Sequence, residues 1–149
     1  MLAAVKMDDD DQDLLIAQTH HMLLGLASKN RWLMRKWARQ GVPLPPLYSS
    51  GVVYRADTSE PQRFADCIEV LEDRAGCCKA LSAYRVAELQ EADKLGADSY
   101  GFSVRAVGKL GARALVKLGL DKNAHVNLIH VKVILANGGL EDPSERLNR

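Results

Sequence analysis

The stretch FADCIEVLEDRAGCCKALSAYRVAEL, residues 64–89, decides the fold. It predicts two helices joined by a turn, the first over residues 60–72 and the second over residues 78–94. The second helix carries small side chains on one face, which permits close packing against a neighbouring element. These side chains are Ala80, Ala83 and Ala87. The turn between the helices places a cysteine, Cys78, at the start of the second helix.

Aliphatic and β-branched residues in the last third of the chain predict strands. Residues 125–135 form a strand, the Asn-Gly-Gly sequence at 137–139 is a hairpin turn, and residues 140–142 begin the returning strand before Pro143. We also expect strands over residues 103–118, where basic and apolar side chains alternate. Helices therefore precede antiparallel strands, which is typical of an α+β fold with helices packed on one side of a small sheet.

The N-terminal part of the chain predicts one long helix over residues 12–40. Apolar residues recur along it at helical spacing, and we expect them to form its buried face. These residues are Leu15, Met22, Leu26, Leu33 and Trp37. Aspartates at 8–11 precede the helix and basic residues cluster near its end, which complements the helix dipole. We expect residues 1–44 to form an acidic head and amphipathic helix, and residues 45–149 to form the core domain.

The composition is that of an ordinary soluble domain, with 149 residues, 47% hydrophobic and 26% charged. A net charge of +1 provides no global field that would attract nucleic acid or a membrane, and basic clusters at 29–39 and 105–117 are a weak nucleic-acid signal. Apolar runs are too short to span a bilayer. Three cysteines and no signal-peptide pattern at the start predict a reducing cytoplasm.

Three residues form a candidate set for nucleophilic chemistry. A thiol at a helix start, such as Cys78, is expected to have a lowered pKa, and its backbone N–H is placed to donate to an oxyanion. His130 lies on a predicted strand, and Asp142 follows twelve residues later across a tight turn. An imidazole beside a thiol acts as its base, and a carboxylate orients the imidazole. The order Cys, His, Asp on helix start, strand and next strand forms a coherent triad.

Other interpretations of these residues compete with the triad. Cys77 is an alternative nucleophile, and His125 an alternative base on the opposite side of the strand. Cys77 and Cys78 could also form a strained vicinal disulfide. A zinc site that uses both cysteines is disfavoured, because adjacent cysteines lack the spacing that zinc ligands usually have. A buried structural cysteine and a structural histidine are the commonest roles of such residues. The sequence predicts neither a metal nor a cofactor.

Several motifs resemble bacterial and phage transglutaminase-like proteins of the papain-like cysteine protease superfamily. Residues 64–89 are similar to the helix, turn and Ala-rich helix around that family's nucleophile. HVKVILANGGLEDPSERL, residues 130–147, resembles its His strand, turn and Asp strand. Glu-Asp-Pro-Ser at 141–144 and the segments at 46–48 and 51–54 are similar to small phage members. The family's acid between glycine and nucleophile is replaced here by Cys77.

The resemblance implies a papain-like fold with Cys78 as nucleophile, His130 as base and Asp142 as the residue that orients it. Two functions follow from it. The first is a structural or assembly component of a tailed-phage virion, located in the host cytoplasm during assembly. Its partners would be other virion proteins, met through the N-terminal helix in a homo- or hetero-oligomer. The second is an active thiol enzyme, a peptidase, amidase or acyl transferase that uses the triad.

Overall fold

The computed structural model describes residues 3–6, 12–56, 63–93, 99–109, 112–117, 119 and 126–148. Its helices are α1 (Gln12–Arg39), α2 (Cys67–Asp73), α3 (Cys78–Ala92), α4 (Ala112–Lys117) and α5 (Pro143–Arg146), with a 3-10 turn at Leu47–Ser49. Its strands are β1 (Ala3–Lys6), β2 (Val53–Tyr54), β3 (Ala75–Gly76), β4 (Gly101–Lys109), β5 (Val126–Ile134) and β6 (Leu140–Glu141). The predicted acidic head at 8–11, His125 and the predicted helix limits at 60 and 94 lie outside the described residues.

The larger sheet is antiparallel and is built around β5. β4 pairs along the length of β5, while β1 and β6 pair with different parts of its other side. A hairpin turn with Gly138 at φ 85° joins β5 to β6, as the Asn-Gly-Gly sequence predicts. The short strands β2 and β3 form a separate parallel pair. The α+β fold class is therefore confirmed.

Helix α3 is the centre of the core and is buried on nearly all sides. On one side it packs with α1 and the large sheet, in a cluster that contains Ala83, Val86 and Val131. On the other side it packs with α2 and the C-terminal segment. Lys79 is also fully buried, and its Nζ lies 4.5 Å from the centre of the Phe64 ring. The ring's electron-rich face supplies a favourable environment for that charge.

The position of α1 is as predicted, but the residues that it buries differ from the predicted face. Leu15 and Leu26 are buried, whereas Met22 is 52% exposed. The neighbouring Leu23 is buried instead. Polar side chains share the buried face: Asn30 is fully buried and its Oδ1 accepts a hydrogen bond from the Cys67 backbone N–H at 2.8 Å. A pattern of apolar residues alone does not reveal such a face, because part of it is polar.

Three further elements differ from the sequence predictions. Helix α2 begins at Cys67 because Asp66 caps it, in a capping box with Glu69. The segment 103–118 is not all strand: β4 ends at Lys109 and α4 follows. Strand β1 was not predicted, since its four residues pair with a distant part of the chain and carry little local signal. No helix in the described residues is long and apolar enough to cross a membrane.

Candidate functional site

The turn that leads into α3 fixes the position of Cys78. Arg74 has a left-handed backbone, with φ 55°, and ends α2. The next two residues form β3, and Gly76 there is tightly packed against buried side chains. A Cβ at this position would lie 3.0 Å from Leu81 Cδ2 and 3.4 Å from Val70 Cγ2. The chain then enters α3 through Cys77, whose extended backbone begins the helix.

Cys78 lies at the start of α3, as predicted, and is fully buried there. The direction in which its thiol pKa is shifted differs from the prediction. Burial, the dominant cause, raises the pKa of its thiol to about 11. Lys79 and the Val131 backbone N–H act in the opposite direction, but they are the smaller influences. The helix-start argument predicted a lowered pKa. It fails here because an ionised sulfur at this position would lose its hydration.

His130 and Asp142 meet as the sequence predicts. Nε2 of His130 lies 2.7 Å from Oδ2 of Asp142, and the two side chains are 20% and 14% exposed. The hairpin between β5 and β6 brings them together. The other carboxylate oxygen of Asp142 accepts hydrogen bonds from the backbone N–H groups of Ser144 and Glu145, at 3.1 and 3.3 Å. Asp142 is therefore both the partner of His130 and the N-cap of α5.

Cys78 approaches β5 from the side that the helices cover. One turn further along α3, the Ser82 hydroxyl donates to the Val131 carbonyl at 3.3 Å. Cys78 and Val131 share one buried cluster. Because side chains alternate along a strand, the ring of His130 points away from this cluster, to the opposite face of the sheet. The structure therefore joins His130 to Asp142 and places Cys78 against the neighbouring Val131.

The open face of the sheet carries a cavity of about 160 Å³ beside His130. Arg105 lies directly opposite His130 on β4, and Ser103 lies opposite Lys132. With Leu140, these side chains line the cavity. The imidazole thus borders a basic surface.

Cys77 and Tyr54 complete the surroundings of the helix start. Cys77 is 7% exposed and lines a cavity of about 90 Å³ together with Arg55 and Arg63. The pKa of the Tyr54 phenol is raised above its ordinary range. The largest cause is burial, followed by the nearby Cys78, Cys77 and Asp142. Tyr54 reaches this place because β2 pairs with β3, with Tyr54 opposite Gly76. No role was predicted for Tyr54, although it lies in the 51–54 segment that carried part of the resemblance.

All three cysteines are thiols, so the predicted alternative of a vicinal disulfide is not formed. Within the described ranges, the structure contains no group of three or more His, Cys, Asp or Glu side chains that could hold a metal ion. Comparisons with protein families, with curated proteins and with solved structures find no match to this chain.

Proposed function

We propose that the protein is a structural or assembly component of a tailed-phage particle, built on a transglutaminase-like scaffold whose triad positions hold the fold. The observation that supports a structural rather than a catalytic role for the triad positions is the burial of Cys78, with a thiol pKa of about 11. At pH 7 such a thiol is ionised in roughly one molecule in ten thousand. Only the thiolate is a strong nucleophile, so the resting protein holds Cys78 in an unreactive form.

The contacts of His130 and Asp142 hold parts of the fold together. Asp142 accepts from His130 of β5 and from two backbone N–H groups of α5. It therefore ties the last helix to the central strand. An N-cap stabilises a helix by about 1 kcal/mol, and a hydrogen bond to a carboxylate contributes about 1.5–3 kcal/mol. These contributions are large for a domain whose total stability is about 5–15 kcal/mol.

The assignment to a phage particle is supported by the resemblance of residues 46–48, 51–54 and 141–144 to small phage members of the superfamily. It implies other virion proteins as partners, the host cytoplasm as the place of assembly and the virion as the final location. Helix α1 supplies a long exposed surface for such contacts, with apolar side chains such as Trp32 facing outward.

A second candidate function is acyl transfer by Cys78, and the contact between His130 and Asp142 favours it. Asp142 holds Nε2, which leaves Nδ1 as the nitrogen that would exchange a proton with the thiol. The Cys78 sulfur would attack an amide carbonyl, His130 would protonate the leaving amine, and water or an amine would resolve the thioester. This chemistry requires a movement that exposes the buried Cys78 sulfur.

One experiment on phage particles purified from cells that carry the gene distinguishes the two functions. Mass spectrometry of purified particles should find the chain as a constituent, and the Cys78→Ser variant should leave particle yield and infectivity unchanged. Serine is isosteric but is a far weaker nucleophile at this position. Particles that lack the chain would refute the structural role. Particles that contain the variant but lose infectivity or a cleavage product would favour acyl transfer.

A further inference from the structure

The sheet face that carries His130 also holds polar side chains that the candidate triad does not use. Ser103 and Arg105 lie two positions apart on β4, and Lys132 lies two positions after His130 on β5. The strand register sets Ser103 opposite Lys132 and Arg105 opposite His130. Because side chains alternate along a strand, all four share one face of the sheet. Opposite residues have Cβ atoms about 4.5–5.5 Å apart and diagonal ones about 7–8 Å, so these side chains are close neighbours.

The residues between them on the same two strands belong to the core. Phe102, Val131 and Val133 are buried in the cluster that α1 and α3 cover. The polar side chains therefore lie on the other face, where with His130 and Leu140 they line the cavity of about 160 Å³. Pockets for drug-sized ligands are about 300–1,000 Å³, so this cavity suits one functional group of a ligand rather than a large molecule.

The polar groups of this cavity are left unpaired by the fold. In the part of the chain that the structure describes, Arg105 and Lys132 form no ion pair and the Ser103 hydroxyl forms no hydrogen bond. The carboxylate of Asp142 is engaged by His130 and by two backbone N–H groups of α5. Two positive charges and a hydroxyl therefore converge on one cavity, and no described carboxylate is paired with either charge.

The chemistry of these donors matches a phosphate group. The guanidinium of Arg105 presents parallel N–H groups that fit two oxygens of one anion, while the Lys132 ammonium and the Ser103 hydroxyl can donate to further oxygens. A phosphate monoester carries about −1.5 to −2 charges at pH 7, which two cations balance, whereas a carboxylate carries only one. Leu140, which is 53% exposed, offers an apolar contact for the organic part of such a ligand.

We infer that this cavity binds the phosphate monoester group of a small molecule, held by Arg105 and Lys132 with a hydrogen bond from Ser103. The inference does not rest on the proposed function, because these three residues belong neither to the candidate triad nor to α1. His130 lines the same cavity, so a bound phosphate would lie beside the contact between His130 and Asp142.

The first test is an NMR titration of the ¹⁵N-labelled full chain with inorganic phosphate, compared with acetate at the same ionic strength. We expect saturable shifts of the amide signals at 103–105 and 130–132, with acetate binding at least about 10-fold more weakly than phosphate. Arg105→Gln should weaken phosphate binding about 10- to 100-fold, because it removes a charge-assisted contact. The matched control is Arg39→Gln, which removes an equal charge from an exposed site at the end of α1 and should leave the affinity unchanged.

The second test is thermal unfolding, since a ligand that binds only the folded chain raises its Tm. Phosphate also stabilises proteins non-specifically, so the informative quantity is the difference between variants. Phosphate should raise the Tm of the wild-type protein and of Arg39→Gln more than that of Arg105→Gln.

Three results would overturn the inference. The first is an equal rise in Tm, or an equal loss of affinity, for Arg105→Gln and Arg39→Gln, which would indicate a general charge effect. The second is acetate that binds as tightly as phosphate. The third is a chain that shows no saturable phosphate binding but binds a single-stranded oligonucleotide through Arg105, which would assign this face to a nucleic-acid backbone instead.

Discussion

Removal of the Asp142 side chain should destabilise the protein because it breaks two structural links at once. Asp142→Ala deletes the partner of His130 Nε2 and the acceptor for the Ser144 and Glu145 N–H groups. Loss of the N-cap costs about 1 kcal/mol. Loss of the largely buried contact with His130 adds about 1.5–3 kcal/mol. The free energy of unfolding should therefore fall by about 3 kcal/mol.

The informative comparison is Asp142→Asn, which separates the two contributions. Asparagine caps helices about as well as aspartate, so this variant keeps the cap of α5 and removes only the charge that faces His130. We expect Asp142→Asn to lose about half as much stability as Asp142→Ala. Urea unfolding followed by circular dichroism gives both values, with an unchanged m-value as the control for an intact two-state transition. A loss below about 0.5 kcal/mol for Asp142→Ala would refute the structural role assigned to this residue.

Three other perturbations test the packing around Cys78 and α2. Gly76→Ala should lower the free energy of unfolding by about 1 kcal/mol, measured by thermal unfolding, because the new Cβ would press on the buried Leu81. Asn30→Ala should cost about 1–3 kcal/mol, because it leaves the Cys67 N–H buried without its acceptor; a loss no greater than for Ser28→Ala, an exposed site, would contradict this. Stability should also fall as pH rises from about 9 to 11, because the buried Cys78 thiol ionises near 11 when folded but near its ordinary pKa when unfolded. Cys78→Ala should make that decline less steep without abolishing it, because burial also raises the pKa of the Cys67 thiol, to about 12.

Most of the order of the elements could be read from the sequence, with β1 and α4 among the exceptions, because local signals specify the others. The apolar run of β5, the Asn-Gly-Gly turn and the start of α3 at Cys78 all lie where their residue types predict. Their pairing follows from the short turn, which is why His130 and Asp142 could be predicted to meet. Local sequence signals therefore determine the contact between His130 and Asp142.

Packing could not be read in the same way. Helix α1 carries apolar residues on both its inward and its outward sides. The sequence alone does not show that Leu23 is buried while its neighbour Met22 is exposed. The burial of Cys78 depends on the sheet that covers α3, which is a tertiary effect that local position cannot reveal. That burial reverses the expected direction of its pKa. The role of Tyr54 likewise depends on a non-local pairing, between β2 and β3.

The rate at which iodoacetamide alkylates each cysteine, measured from pH 4 to 9 with the site located by mass spectrometry, tests the central claim most directly. The unfolded chain provides the reference rate for an ordinary thiol. If Cys78 is a buried structural thiol, it should react far more slowly than this reference at every pH, and more slowly than the adjacent Cys77, which lines a surface cavity. Rapid alkylation of Cys78 near pH 5 that His130→Ala abolishes would contradict the account, because it would reveal an assembled thiolate–imidazolium pair.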